Sequence, residues 1–282
     1  MAGLNIKKRG RPSKADIAAR EAAKAPVRTD KEILTDLKER FNILSILTQG
    51  AVAQNVRAVT VTGAPGVGKT FTVEQILAHA KNSKGIKFEV VKGSISAINL
   101  YMLAHRMREP GSVIVLDDAD SIFGDEDALN ILKVLCDSST TRTVSYMKEA
   151  HQLKENDIPQ SFDFNGSMIF ISNLDFQRYV DEGKNRFAQH FEALMSRSLY
   201  LDLRLHSRQE LGVWIEHVAT SGHIFRREGL TEAQGKKVLS FLREYRENLR
   251  ELSLRTLLKT SQLVKTNDNW ESMAKILLTK SR

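Results

Sequence analysis

Lys69 and Thr70 close an eight-residue stretch, Gly63-Ala64-Pro65-Gly66-Val67-Gly68-Lys69-Thr70, that matches the phosphate-binding spacing G-x-x-x-x-G-K-[ST] in full. Gly63, Gly66 and Gly68 let the backbone turn tightly and aim N–H groups at phosphate oxygens, at the positively polarised start of a helix. Lys69 would then reach the β- and γ-phosphates and Thr70 would hold Mg²⁺. A nucleotide site is therefore expected, contacted by the run from Gly63 through Ala64, Pro65, Gly66, Val67, Gly68, Lys69 and Thr70 to Phe71. A second reactive group follows at Asp117-Asp118-Ala119-Asp120, directly after the apolar segment 112–116 (SVIVL). An apolar strand ending in an acidic pair, downstream of a phosphate loop, is the Walker B arrangement. Asp117 is placed to bind the Mg²⁺ shell and Asp118 to polarise an attacking water.

Such groups need a rigid frame, and the hydrophobic pattern predicts one. Segment 56–62 (VRAVTVT) reads as a buried strand running into the loop, and 71–80 reads as the helix leaving it. Segments 87–91 (KFEVV), 112–116, 167–171 (SMIFI) and 199–203 (LYLDL) are four further strands, with a helix over about 97–108 between the second and third. Apolar strands alternating with helices predict an α/β fold with a five-stranded parallel sheet covered on both faces. An amphipathic helix over 30–49, capped by Asp30, should pack against the strand–loop–helix unit. A further helix is predicted over 127–137, with Lys133 facing solvent and Cys136 in the core. After Leu205 the pattern is helical, over about 207–219, 231–246, 253–265 and 270–280, with Trp214 and Trp270 as core residues and Thr231 and Gln234 forming a capping box.

Three parts are expected: a basic tail over 1–28, a nucleotide-binding α/β domain over 29–205 and a helical lid over 206–282. Charge follows the same division. The net charge of +8 is concentrated at the ends, since residues 1–28 hold eight Lys/Arg against two Asp/Glu and residues 204–282 hold fifteen against nine. Basic ends suit an anionic polymer. In the tail, Lys7-Lys8-Arg9-Gly10-Arg11-Pro12-Ser13-Lys14 contains Arg-Gly-Arg-Pro, which resembles an AT-hook. Gly10 leaves the groove floor open, so Arg9 and Arg11 could lie extended in a narrow A·T minor groove while the flanking lysines, Lys8 among them, meet phosphate; Pro12 completes the pattern. Ser13 could cap a short helix over 14–24. One cysteine excludes an internal disulfide, and seven scattered histidines form no zinc-ligand spacing. No apolar run is long enough to span a membrane, so a soluble, cytoplasmic protein is expected, with a nuclear location not excluded by the basic run.

Taken in order, these pieces resemble the AAA+ ATPases, a branch of the P-loop NTPases, over about residues 30–282. The resemblance places Asn173 at the sensor 1 position, Arg197 at the arginine-finger position and Arg255, in Ser253-Leu254-Arg255, at sensor 2 over the γ-phosphate. It implies a five-stranded P-loop sheet with a small helical lid, ATP and Mg²⁺ as cofactors, and a homo-oligomer, ring or open helical, in which Arg197 completes a neighbour's site. One departure is Asp118, where the family usually has Glu; a carboxylate shorter by about 1.5 Å implies slow hydrolysis or a shifted backbone. Segments 141–147 and 161–164 read as two β segments around a polar tip at 148–159, similar to a hairpin of the DNA-helicase branch; a plain surface insertion is the alternative. The small size is similar to phage-encoded members, which would place the chain in a host cytoplasm. The expected function is an ATPase acting on DNA in replication, helicase loading, recombination or transposition. Two alternatives are a protein-remodelling unfoldase, against which the loop 92–97 lacks an aromatic grip, and a DNA-bound ATP switch that barely hydrolyses.

Overall fold

In the computed structural model, residues 28–183 and 187–280 are described. The AT-hook-like run Lys8–Pro12 and the Ser13-capped helix lie outside them. The first helix, α1, is Asp30–Val52, and its cap is Thr29 and not Asp30. Thr29 accepts from the Glu32 N–H and Glu32 reaches back to the Thr29 N–H, a reciprocal capping box that leaves Asp30 inside the first turn. The chain continues through β1 (Ala58–Gly63), α2 (Lys69–Lys84), β2 (Lys87–Lys92), α3 (Ala97–Arg106) and β3 (Ser112–Asp117). A 3₁₀ turn over Asp120–Gly124 leads into α4 (Glu126–Leu135). Next come β4 (Thr143–Ser145), α5 (His151–Glu155), β5 (Ser161–Asp163), β6 (Ser167–Ser172), α6 (Phe176–Glu182), α7 (Ala188–Arg197) and β7 (Leu199–Leu203). The C-terminal helices are α8 (Arg208–Ser221), α9 (Ile224–Arg227), α10 (Glu232–Glu244), α11 (Leu254–Thr266) and α12 (Trp270–Leu278).

β1, β2, β3, β6 and β7 form one parallel sheet in the order β2-β3-β6-β1-β7. Residues alternate between its faces. On β3 and β6, Val113, Val115, Ile169 and Ile171 pack toward α1 and α2, while Ile114, Leu116, Met168 and Phe170 pack toward α3, α4 and α7. This two-faced burial is why the strands read as continuous apolar runs. A third cluster joins α8, α10, α11 and α12 around Ile215, Phe241, Leu257 and Trp270. Trp214 and Trp270 are both buried, as is Cys136, whose thiol is pushed up to about 12 by burial. Lys133 is half-buried and not fully solvent-facing.

The insertion between β3 and β6 is a real but small hairpin. β4 and β5 pair antiparallel over three residues, with Val144 opposite Phe162, and its 148–159 tip is not all loop but carries the single-turn α5. Arg142 anchors its base from a buried position, donating to Leu135 O at 2.8 Å and Gly166 O at 2.6 Å. Its guanidinium also lies over the Phe164 ring.

Candidate nucleotide site

The strand order decides what meets at the carboxyl edge of the sheet. β6 lies between β3 and β1, so Asn173, one residue past its end, emerges between the loop after β1 and the acidic turn after β3. Asp117 stands level with Ile171, and Thr62 with Ser172. Crevices of this kind, at the carboxyl ends of parallel strands, are where α/β sheets bind ligands.

Side chains from the three strand ends are joined directly. Lys69 Nζ donates to Gly63 O at 2.8 Å, Ala64 O at 3.0 Å and Asn173 Oδ1 at 2.8 Å. Asn173 Nδ2 in turn donates to Asp118 Oδ1 at 2.6 Å, so one amide bridges the lysine and the second carboxylate. Thr70 Oγ1 donates to Asp117 Oδ1 at 2.8 Å. Asp118 adopts φ +52°, a left-handed conformation uncommon outside Gly, Asn and Asp, while its N–H extends the ladder to Ile171 O. From this conformation the short Asp118 carboxylate meets Asn173.

Burial sets the electrostatics. Lys69 is 5% exposed, and burial lowers its pKa to about 8, against the raising effect of Asp118 and Asp117. Asp117 is raised, chiefly by burial, with the Thr70 hydrogen bond opposing. Asp120 is also raised by burial, opposed by a hydrogen bond from Ser172. A polyphosphate would supply the negative charge that Lys69 lacks.

The lid closes the other side. Trp214 Nε1 on α8 donates to Val67 O at 2.8 Å, and its ring stacks on Phe41 of α1 with centroids 4.1 Å apart. Leu254 N–H at the start of α11 donates to Gly66 O at 2.9 Å. Gly66 has φ +70°, and a Cβ there would meet Ser253 Cβ at 2.8 Å, so lid and loop touch at a point where only glycine fits. Together they enclose a cavity of about 520 Å³ lined by Lys69, Thr70, Phe71, Asp117, Asp118, Asn173 and Arg255. Phe41, Trp214 and Arg227 also line it, and the sequence reading placed none of them at the nucleotide site. Phe41 and Trp214 are ordinary members of apolar helical faces there, and only the fold brings them to the loop.

The residues fit ATP and Mg²⁺. Gly68 precedes α2 with no side-chain cap and no acid in the first turn, whereas α1, α3, α4, α8, α10 and α11 each have a side-chain cap. The start of α2 is thus left for an anion. Among the described residues no three His, Cys, Asp or Glu converge as a self-sufficient metal site. Thr70 and Asp117 supply two oxygens, which suits Mg²⁺ held jointly with phosphates and water. Arg197 is not brought to this cavity. At the end of α7, it donates to Ala193 O at 3.1 Å and lies 3.8 Å from Asp137.

Residues 59–171 match the ATPase family associated with various cellular activities (AAA). An uncharacterized 36.7 kDa protein from the nrdC-mobD intergenic region of Enterobacteria phage T4 is 36% identical over 245 residues, covering 86% of this chain and 75% of the relative. The chain belongs to the AAA family. Its sheet, helical flanks and C-terminal helices agree with a solved AAA-type fold, domain III of the Thermotoga maritima replication initiation protein DnaA. That likeness has a TM-score of 0.50 at 12% identity and covers 86% of this chain and 91% of that one. Drosophila ORC bound to DNA is also similar, with a TM-score of 0.40, 16% identity and coverage of 97% and 70%. AAA membership carries nucleotide binding and ATPase chemistry in general. Among the described residues, no helix is long and apolar enough to cross a membrane.

Proposed function

We propose that this AAA protein is a Mg²⁺-dependent ATPase that acts on DNA as a homo-oligomer. The observation that carries the ATPase reading is the junction of Lys69, Asn173 and Asp118 beside the Thr70–Asp117 pair in one cavity. When bound, Mg²⁺ would draw charge from the β- and γ-phosphate oxygens. Lys69 and the backbone of Gly63–Gly68 hold the phosphates, Thr70 and Asp117 hold the metal, and Asp118 orients water. Asn173 keeps Asp118 in reach, and Arg255 approaches from the lid. Arg197, outside its own cavity, is assigned to a neighbouring subunit's site. The domain division is tail 1–28, nucleotide-binding domain 29–205 and lid 206–282.

DNA as the polymer is supported by the basic ends of the chain and by the Lys8–Pro12 pattern; similar folds include a replication initiation protein. The tail would hold A·T-rich duplex through its minor groove, in the cytoplasm of the host if the gene is viral. A slow, DNA-bound ATP switch is the second reading, and the left-handed Asp118 held by Asn173 favours it.

ATPase rates with A·T-rich duplex, G·C-rich duplex and single strands separate these readings. Stimulation by DNA supports the motor, binding without turnover supports the switch, and indifference to DNA rejects both. Deletion of residues 1–28 should weaken A·T-rich binding in a salt-dependent manner. Arg197→Ala should cut turnover by about 10³-fold while ATP affinity stays within about twofold. Undiminished turnover would reject the shared site.

A further inference from the structure

Asp120 lies outside every role assigned above, yet it is tied to the sensor strand. Ser172, fully buried at the end of β6, donates its hydroxyl proton to Asp120 Oδ1 at 2.7 Å. Ser172 Oγ in turn accepts the Leu174 N–H at 3.0 Å. A hydroxyl has one proton, and an ionised carboxylate can only accept. Asp120 therefore fixes the direction of the Ser172 hydroxyl, which leaves a lone pair for Leu174 N–H. The residue bracketed by that pair of contacts is Asn173.

Asn173 has a demanding orientation. Its Oδ1 must face Lys69 Nζ and its Nδ2 must face Asp118 Oδ1, at 2.8 and 2.6 Å. A flipped amide would set Nδ2 against the ammonium and Oδ1 against the carboxylate, two repulsive contacts in place of two attractive ones. A side chain just beyond a strand end, in a turn, needs its backbone held to keep such an arrangement. We propose that Asp120, acting through Ser172, is a positioning residue that holds the Asn173 amide between Lys69 and Asp118. This rests on the ATPase reading only for its kinetic consequence; the geometric claim stands apart from turnover.

The side-chain amide of Asn173, assigned in NMR spectra by its loss in Asn173→Ala, gives a readout that needs no hydrolysis. In the wild type its protons should exchange slowly. In Ser172→Ala and Asp120→Ala they should shift and exchange faster, while Ser172→Thr retains the wild-type signal. Should Asp120→Ala fail to fold, Asp120→Leu keeps the bulk, removes both acceptor oxygens and should show the same change. In ATPase assays both alanine variants should lose about tenfold in kcat, as expected for a misplaced positioning group, with ATP affinity within about twofold. The double variant should be no worse than either single one, because the residues act in series. An Asn173 amide indifferent to either substitution, or additive losses in the double variant, would overturn the proposal. A wild type that binds but does not hydrolyse ATP defeats the ATPase reading alone, since the amide signal still decides the positioning role.

Discussion

On the sheet side of the cavity, Lys69, Thr70, Asp117, Asp118 and Asn173 hold one another through hydrogen bonds of 2.6 to 2.8 Å. On the lid side, Arg255 is exposed and forms no hydrogen bond or ion pair with any described residue, and Arg227 only lies over the exposed Phe71 ring, 6.0 Å away. The backbone shows the opposite balance. Lid and loop are pinned together at Gly66 O and Val67 O by Leu254 and Trp214. The sheet side is thus held in place by its own side chains, which is what electrostatic preorganisation requires. The lid is docked through its scaffold, while Arg255 has no ion pair with any described residue. Substitutions on the two sides should therefore fail differently.

The largest effect is expected at Lys69. Its removal deletes the ammonium that would meet the phosphates and leaves Gly63 O, Ala64 O and Asn173 Oδ1 without their donor. Lys69→Ala should weaken ATP binding by about 10²-fold or more, since a charge-assisted contact is worth roughly 1.5–3 kcal/mol and unpaired acceptors add to the loss. Titration with a fluorescent ATP analogue checks this. Retained affinity would mean that the sheet side is not the phosphate anchor.

The unequal visibility of the two sides in the sequence has a physical cause. The phosphate loop, the acidic pair and all five strands are local signals, set by glycine spacing or by runs of β-branched residues, and they lie within a residue or two of where they were expected. Asn173 was legible only through its order along the chain. Its bridging role depends on β6 lying between β1 and β3, a pairing that no local pattern encodes. Phe41 and Trp214 lie 173 positions apart and each looks like an ordinary core residue, so their stack under the loop is a tertiary fact. The Thr29 cap was masked by an equally good capper, Asp30, one position later; the reciprocal bonds with Glu32 decide between them. Arg142 had no signal as a buried cation, because its partners are backbone carbonyls contributed by α4 and the turn before β6.

A smaller effect is expected at Arg255. Because its side chain is exposed and unpaired in the protein, Arg255→Ala should leave stability within about 0.5 kcal/mol. Hydrolysis should fall by about tenfold, the loss of one modest charge contact worth roughly 1.4 kcal/mol, with affinity changed less than about threefold. Thermal melting and single-turnover rates read the two quantities separately. A large drop in melting temperature would show that the lid cation is structural, which would erase the contrast between the two walls.

The finest test lies at the seam. Trp214→Phe keeps an aromatic ring to stack on Phe41 but deletes the indole N–H that meets Val67 O. Of the two Trp214 contacts, the stack holds the lid against α1, and the hydrogen bond ties the lid to the phosphate loop beside the Leu254–Gly66 bond. Loss of a buried neutral hydrogen bond costs about 1 kcal/mol, which corresponds to roughly a fivefold change in an equilibrium constant. If the lid shapes the loop, that cost should appear in ATP affinity as well as in melting temperature, since the Val67 carbonyl is then free to turn and the neighbouring amides with it. If it appears in melting temperature only, the lid is a passive cover, and the loop owes its shape to Gly63, Gly66, Gly68 and Lys69 alone.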